Sequence, residues 1–176
     1  MGKMERKELV MILGLPGAGK SFFARALAEK LQGIHLNSDM VRKELLEQPT
    51  YSENEKARVY QELFNRVRKS LEKGELVIVD ATFSKFDHRL PYYNLIRKLK
   101  GKLSLIQIVA DESVIRERLS KKRPDSDADY KVYQKIKDQY DEITLPYLML
   151  SSTSLNIDEM LKEAVRYLEI NELFDE

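Results

Sequence analysis

Five apolar segments of strand length alternate along the chain with longer segments in which apolar residues recur at helical spacing. The apolar segments lie at 9–13, 34–36, 76–79, 103–109 and 147–150. Continuous apolar character, instead of strict alternation, is typical of strands that are covered on both faces. The helical segments lie at 21–32, 40–47, 53–73, 89–100, 113–122, 130–143 and 157–168. This alternation predicts an α/β fold with a parallel sheet and right-handed crossovers.

Glycine and proline residues mark the ends of several predicted helices. Gly33 follows the first helical segment, Pro49 follows the second, and Gly74 ends the long third one. Gly74 is predicted as the residue that terminates this helix in a left-handed conformation. Since no repeat, linker or low-complexity tract interrupts the pattern, residues 1–176 are predicted to form a single domain.

Composition and charge narrow the function classes. The 176 residues are 43% hydrophobic and 34% charged, with 30 Lys and Arg against 29 Asp and Glu. Such a balance argues against broad electrostatic binding of nucleic acid, although not against a local grip on a strand end. Cysteine is absent, which excludes disulfides and thiolate metal sites. With neither a span-length apolar segment nor a signal-peptide pattern, we expect a cytoplasmic protein that does not contact membranes.

A phosphate-binding loop directly follows the first apolar segment. Residues 14–21 read GLPGAGKS, a complete G-x-x-x-x-G-K-S pattern between a predicted strand and a predicted helix. Backbone N–H groups of such a loop and the helix N-terminus attract phosphates, Lys20 reaches the β- and γ-phosphates, and the Ser21 hydroxyl ligates Mg²⁺. A glycine-rich turn with an incidental lysine is the weaker interpretation. The predicted nucleotide contacts are Gly14, Leu15, Pro16, Gly17, Ala18, Gly19, Lys20, Ser21 and Phe22.

A charged pair follows the second apolar segment. Asp39 lies at the end of that predicted strand, and Arg42 lies three residues later on the same face of the next helix. Phosphoryl transfer needs a group that accepts or orients the attacking hydroxyl and a cation near the transferred phosphoryl group. Asp39 and Arg42 are predicted for these two roles. The alternative is that Asp39 only caps the helix and that Arg42 is a solvated surface residue.

The third apolar segment also ends in a carboxylate. Asp80 follows 76–79, as in the second acidic motif of nucleotide-binding proteins, and is predicted to assist Mg²⁺ binding. A simple turn-capping role is the alternative. Lys85 and Arg89 lie one helical turn apart, and the pattern leaves open whether they contact an anionic substrate or only solvent. The two histidines are assigned no chemistry, and His35 is predicted to be a packing residue.

A basic stretch follows the fourth apolar segment. Residues 116–124 read RERLSKKRP, a helix end that leads into a Pro-interrupted loop. This pattern predicts a lid, over about 113–142, that closes above the triphosphate and presents Arg118 and Arg123 to it. Arg118 is predicted as a nucleotide contact, and Arg123 joins Lys20, Asp39 and Arg42 as a predicted catalytic residue. Because charge runs usually face solvent, this prediction depends on the other motifs.

Taken together, GLPGAGKS, the Asp39-x-x-Arg42 pair and the segment Val79-Asp80-Ala81-Thr82 resemble the small P-loop kinases grouped around polynucleotide 5′-kinases and zeta-toxin-like kinases. The likeness is strongest to a bacterial ATP-binding branch of this group. It implies a three-layer α/β/α P-loop NTPase fold with a parallel five-stranded sheet of order 2-3-1-4-5 and a helical lid. It also implies ATP and Mg²⁺ as cofactors, Asp39 as general base, and Arg42 as a contact to phosphate on the substrate side.

The chain departs from the family pattern in its lid. The family often spaces its lid arginines four apart, whereas here Lys122 follows Arg118 at that spacing and Arg123 lies one residue later. Which of Lys122 and Arg123 meets the phosphates therefore stays open. The D-G-D run of adenylylsulfate and gluconate kinases is also absent.

The sequence thus predicts an ATP-dependent kinase that moves the γ-phosphate of ATP to a hydroxyl of a small or nucleotide-like acceptor. A polynucleotide 5′-hydroxyl is the alternative acceptor. An alternative of another class is an ATP-binding or ATP-hydrolysing regulatory protein that acts through a partner. No obligate protein partner is evident from the pattern.

Overall fold

A computed structural model describes residues 7–121 and 129–174 of the chain. Strands and helices alternate through most of it, as the hydrophobic pattern predicts. The strands are β1 (Glu8–Leu13), β2 (Ile34–Asn37), β3 (Leu76–Asp80), β4 (Lys102–Val109) and β5 (Leu148–Ser151). The helices are α1 (Lys20–Leu31), α2 (Ser38–Leu45), α3 (Glu53–Glu72), α4 (Phe86–Leu99), α5 (Glu112–Ser120), α6 (Tyr130–Asp138) and α7 (Ile157–Phe174).

The five strands form one parallel sheet in the order β2-β3-β1-β4-β5. This order confirms the α/β P-loop fold and the predicted topology. β1 is the central strand, with Ile12 beside Asp80 of β3 and beside Ile106 of β4. Asn37 of β2 lies beside Asp80 as well. Parallel pairing therefore brings the carboxyl ends of β1, β2 and β3 to one edge of the sheet, where α/β folds place their sites.

Helices cover both faces of the sheet and form two separate cores. α3 presents a stripe of buried residues at every fourth position against one face. The stripe consists of Glu55, Val59, Leu63, Val67 and Leu71. α1 and α7 cover the other face through residues such as Phe23, Leu27 and Met160. Gly74 ends α3 with φ of +72°, which confirms the predicted terminating conformation.

A third, smaller core joins α5 and α6 to the phosphate loop. Ile115 and Leu119 of α5 pack with Tyr133 of α6, and Leu15 of the loop packs against them. On the outer side, the Glu112 carboxylate accepts hydrogen bonds from Tyr130, Arg116 and Lys137. The two described helices of the predicted lid, α5 and α6, thus pack directly on the loop that they were predicted to cover.

Several predicted helix boundaries are wrong, for local reasons. α2 begins at Ser38, before the predicted residue 40, because the Asn37 side chain accepts hydrogen bonds from the first turn. α6 ends at Asp138, before the predicted residue 143, because the following chain packs against the segment between β3 and α4, where the Asp141 N–H donates to the Ser84 carbonyl. In the described ranges no helix is both long and apolar enough to span a bilayer.

Candidate active site

The phosphate loop leaves β1 through a tight approach to the neighbouring strand. Gly14 has φ of +147°, and a Cβ atom at this position would lie 2.3 Å from the Ile108 carbonyl oxygen of β4. Gly19 caps α1 in a left-handed conformation, with φ of +98°. The Lys20 Nζ donates to the Leu15 carbonyl oxygen across the loop at 2.9 Å. This geometry places the N-terminus of α1 and the lysine at the inner curve of the loop.

A cleft of about 960 Å³ opens along the carboxyl edge of the sheet, with the loop on one side. Six of the predicted nucleotide contacts in and beside the loop line it: Pro16, Gly17, Gly19, Lys20, Ser21 and Phe22. The other three, Gly14, Leu15 and Ala18, do not line the cleft. Ala18 is buried, and Leu15 packs against α5 and α6, so these side chains shape the loop from behind.

Ser21 and Asp80 meet in a buried polar cluster at the floor of the cleft. The Ser21 hydroxyl donates to Oδ1 of Asp80 at 2.8 Å, and Asp80 is only 1% exposed. Hydroxyl and carboxylate oxygens are the ligands that Mg²⁺ prefers, and a nucleotide-bound Mg²⁺ usually takes only one or two protein ligands. In the part of the chain that the structure describes, no group of three or more His, Cys, Asp or Glu residues could hold a metal alone. The pair therefore fits an ion that is shared with phosphates.

Two further residues of this cluster were missed by the sequence reasoning. Asn37 Nδ2 donates to Asp80 Oδ1 at 2.7 Å and to Ser21 Oγ at 3.0 Å, while His35 Nε2 contacts Asp80 Oδ2. The prediction that His35 only packs is therefore wrong. Alternate residues of a strand share a face, and β2 pairs with β3 so that both side chains reach the same carboxylate. In the sequence, the two-residue spacing of His35 and Asn37 was the pattern that could have predicted that both side chains lie on the same face of β2.

Asp39 and Arg42 face the cleft from the first turns of α2. Arg42 donates to Asp39 Oδ1 at 2.8 Å, and the Asp39 side chain keeps 30% of its surface exposed. Burial raises the pKa of Asp39, while the charges of Arg42 and Lys20 act in the opposite direction. Asn37, and not Asp39, caps α2, and Arg42 is only 8% exposed. The alternative of a capping aspartate beside a solvated arginine is therefore wrong.

Glu55 of α3 fixes Arg42 from behind and was also missed. The Arg42 Nε donates to Glu55 Oε1 at 3.2 Å, while Oε2 accepts hydrogen bonds from the Thr50 N–H, the Thr50 hydroxyl and the Tyr51 N–H. Although burial would raise the pKa of Glu55, these hydrogen bonds and the Arg42 charge hold it below its ordinary value. In the sequence, Ser52-x-x-Glu55 has the pattern of a capping box, so the sequence predicts Glu55 as part of a helix cap and not as a partner of Arg42.

The predicted lid arginines have different outcomes. Arg118 lines the cleft, and its guanidinium donates to the Gly17 and Ala18 carbonyls, to the Ser152 hydroxyl and to the Thr153 carbonyl. It thus connects α5 to the phosphate loop and to the turn that follows β5. Arg123 and the competing Lys122 lie outside the described residues.

A family model described as an AAA domain matches residues 9–143 of the chain. The chain belongs to this AAA domain family. The matched region includes the phosphate loop, the Asp39–Arg42 pair, Asp80 and the two helices beside the loop. β5 and α7 lie beyond it, although Ser152 and Thr153 contribute contacts to Arg118.

A viral relative and several solved structures are similar to this AAA domain. A protein of Acanthamoeba polyphaga mimivirus, whose name proposes a bifunctional polynucleotide phosphatase/kinase, is 26% identical over 96 residues, which are 54% of this chain and 19% of that protein. The chain thus spans about a fifth of this relative. The APS kinase CysC of Mycobacterium tuberculosis, solved with AMPPNP and APS, has a TM-score of 0.71 at 22% identity and covers 93% of this chain and 98% of its own.

Two other structures have the same fold. A gluconokinase from Sinorhizobium meliloti has a TM-score of 0.69 at 18% identity, covering 96% of this chain and 97% of its own. Kti12 of Chaetomium thermophilum, solved with ADP-AlF3, has a TM-score of 0.66 at 17% identity, covering 90% and 97%. These similarities establish the fold of this AAA domain.

Lys85 and Arg89 of the AAA domain, whose roles the sequence left open, are now placed. Lys85 lines the cleft and donates to the Gln139 carbonyl at 2.7 Å. Arg89 is fully buried and donates to the Lys85 and Asp141 carbonyls. Arg89 is therefore neither solvated nor a cleft residue, and it holds the chain after α6 against α4.

Proposed function

We propose that this AAA domain is an ATP- and Mg²⁺-dependent kinase that transfers the γ-phosphoryl group to a hydroxyl. The observation that carries the proposal is the placement of Asp39. It is a partly buried carboxylate that shares the cleft with Lys20 and is held by Arg42. A phosphate loop alone serves many nucleotide-binding proteins, but a fixed carboxylate facing it from the acceptor side serves proton removal.

The donor half of the site holds the nucleotide. Loop amides and Lys20 bind the phosphates, which frees Lys20 from its contact with the Leu15 carbonyl. Ser21 and Asp80 would hold Mg²⁺, with Asn37 and His35 orienting the carboxylate. When bound, the ion neutralises charge on the phosphate oxygens. Arg118 keeps the loop in place, and Arg123 is proposed to meet the phosphates from the segment after α5.

The acceptor half of the cleft is taken as the part lined by Asp39, Arg42, Lys56, Tyr60, Lys85, His88 and Lys135. This half supplies the base. Asp39 takes the proton of the acceptor hydroxyl while the oxygen of that hydroxyl forms a bond to the γ-phosphorus. At the same time, the bond between the γ-phosphorus and the bridging oxygen of ADP breaks. Arg42 orients Asp39 and counters negative charge on the transferred group. Glu55 prevents Arg42 from swinging away, because it binds the Nε on the other side of the guanidinium.

Two other functions have specific support. The mimivirus relative favours a polynucleotide 5′-hydroxyl as the acceptor. The second alternative is a nucleotide-binding regulatory protein, since Kti12, which was solved with ADP-AlF3, shares the fold and is not named as a kinase.

An acceptor screen with γ-labelled ATP tests the proposal. We expect label in one class of hydroxyl compounds, including small alcohols, sugars, nucleosides and 5′-hydroxyl oligonucleotides, and none when Mg²⁺ is omitted. Label only in the oligonucleotides would select the polynucleotide alternative. ATP hydrolysis without label in any acceptor, stimulated by a protein partner, would overturn the kinase proposal.

The raised pKa of Asp39 predicts the pH dependence of transfer. Asp39 acts as a carboxylate, so activity is present above its pKa and is lost as the pH falls through it. Because burial raises this pKa, the acidic limb of kcat/KM should lie above the pH expected for an ordinary aspartate. Arg42→Gln removes a charge that lowers the pKa, so the limb of the residual activity should move to still higher pH.

The control for this shift is Arg66→Gln. Arg66 forms ion pairs with Glu44 and Glu62 on the surface and does not line the cleft. The acidic limb of kcat/KM in Arg66→Gln should match that of the unmodified protein. Equal limbs in Arg42→Gln and Arg66→Gln would mean that Asp39 is not the group that titrates.

A further inference from the structure

Beyond Asp39, the acceptor half of the cleft has an aromatic wall. Tyr60 of α3 stacks on His88 of α4, with ring centroids 4.3 Å apart and an interplanar angle of 24°, and both residues line the cleft. The Tyr60 hydroxyl accepts a hydrogen bond from the Phe83 N–H at 3.3 Å, which fixes the ring. The stacked pair is therefore a rigid surface on which the body of an acceptor can lie.

Most cations of the acceptor half are already matched by a carboxylate. Arg42 is paired with Asp39 and Glu55. Two lysines are matched as well, with Lys56 lying 3.1 Å from a Glu53 oxygen and Lys85 lying 3.5 Å from an Asp141 oxygen. These pairs leave little positive charge in this region for an anionic ligand.

Lys135 of α6 is the exception. It lines the cleft, and within residues 7–121 and 129–174 no carboxylate forms an ion pair with it. The pKa of Glu53 is lowered mainly by its hydrogen bond to Lys56 and by the Lys56 charge, and to a smaller extent by the charge of Lys135. Lys56, Glu53 and Lys135 therefore share one region of the cleft. The same region includes His88, whose pKa is lowered by burial and then by the Lys56 charge.

The orientation of Lys135 follows from the face of α6 that lines the cleft. The cleft-lining residues of this stretch are Val132, Lys135, Ile136 and Gln139, which have the spacing of a single helical face. Other lysines of α6 differ, since Lys137 binds Glu112 and Lys131 does not line the cleft. The helix therefore places the Lys135 charge at the cleft.

We infer that the acceptor carries a phosphate group in addition to its reacting hydroxyl, that Lys135 binds this phosphate, and that the Tyr60–His88 pair supports the rest of the molecule. This inference rests on the proposed kinase function, because it assigns the acceptor of the same site. A phosphate beside Lys135 balances a cation that has no carboxylate partner among the described residues, and it leaves the hydroxyl free to reach Asp39. With this phosphate site, α6 contacts the acceptor directly, while its Tyr133 packs on the side of the phosphate loop.

A binding experiment tests the phosphate site without turnover. With AMPPNP and Mg²⁺ saturating the donor half, inorganic phosphate is titrated while the ring signals of the two histidines are followed by NMR. We expect a saturable shift of the His88 signals and none for His35. Lys135→Ala should weaken this binding about tenfold, the size of a lost hydrogen bond to a charged group, whereas Lys131→Ala should leave it unchanged. Absence of the His88 shift, or equal effects of the two variants, would overturn the phosphate site.

A turnover experiment then identifies the source of the phosphate. Glycerol 3-phosphate, glycerol and a 5′-hydroxyl dinucleotide are compared as acceptors of labelled phosphate. We expect the phosphomonoester to be preferred over glycerol, with Lys135→Ala raising KM about tenfold and leaving kcat nearly unchanged. Preference for the dinucleotide would assign the phosphate to a nucleic-acid strand instead.

The two experiments separate the possible failures. A phosphate-dependent His88 shift without labelled product from any compound would remove the kinase proposal and leave an anion site. Equal labelling of glycerol and glycerol 3-phosphate, with Lys135→Ala behaving as Lys131→Ala, would remove the phosphate site and leave the kinase.

Discussion

Asp39→Asn should abolish phosphoryl transfer while nucleotide binding survives. The amide keeps the shape of the side chain but cannot take the proton of the acceptor hydroxyl, and loss of a general base typically costs about 10²–10⁴-fold in rate. ATP affinity should change little, because Asp39 accepts its hydrogen bond from Arg42 of α2 and its interaction with Lys20 is electrostatic. The measurement is transfer of label from γ-labelled ATP, together with AMPPNP binding by calorimetry.

Asp158→Asn is the matched control. Asp158 is an exposed aspartate in the first turn of α7 and does not line the cleft, so this variant should retain full transfer. Normal turnover of Asp39→Asn would contradict the assignment of the base. Loss of AMPPNP binding in Asp39→Asn would instead mean that the residue serves the nucleotide.

Gly14→Ala should have the largest effect on folding. The new Cβ would lie 2.3 Å from the Ile108 carbonyl oxygen, and this oxygen belongs to the backbone of β4, which cannot move without breaking the sheet. The residue also has φ of +147°, a conformation that alanine adopts only with strain. Strain and overpacking together should lower the free energy of unfolding by about 2–5 kcal/mol. Urea denaturation followed by circular dichroism measures this loss.

Gly17→Ala separates the steric effect from the conformational one. Gly17 also has a positive φ, but the atoms nearest to its Cβ would be in the side chains of Leu119 and Ile115, at 3.1 Å and 3.2 Å. Flexible side chains can give way, so the expected loss is smaller, about 1–2 kcal/mol. Equal losses in the two variants would show that the approach of Gly14 to β4 carries no special cost.

Much of the donor half could be predicted from the sequence, because its residues are neighbours along the chain. A strand, the GLPGAGKS loop and a helix form one continuous unit, so Lys20 and Ser21 were placed by local spacing. Asp39 and Asp80 were candidates because each follows an apolar segment. Their roles in catalysis and magnesium binding stay predictions, since the structure places them in the cleft without a ligand to test them.

The supporting residues could not be predicted, because they act across elements that are far apart in the chain. His35 and Asn37 reach Asp80 only through the register between β2 and β3. Glu55 supports Arg42 only because α3 packs beside α2, and the same residue looks like a helix cap in the sequence. Arg118 was predicted as a lid cation that contacts the nucleotide, and this role stays a prediction; its hydrogen bonds to carbonyls of the loop appear only in the structure.

By itself, then, the sequence determined the α/β alternation, the phosphate loop and the carboxylates at strand ends, because hydrophobic periodicity and loop spacing are local properties. The tertiary structure decided which basic side chains of the described residues are paired with a carboxylate and which line the cleft without one. Lys85, Arg89 and Lys135 are all basic residues in or beside helices. Lys85 lines the cleft beside a carboxylate, Arg89 is buried against carbonyls, and Lys135 lines the cleft without a carboxylate partner among the described residues. Charge compensation depends on the distance between elements, and only packing sets that distance.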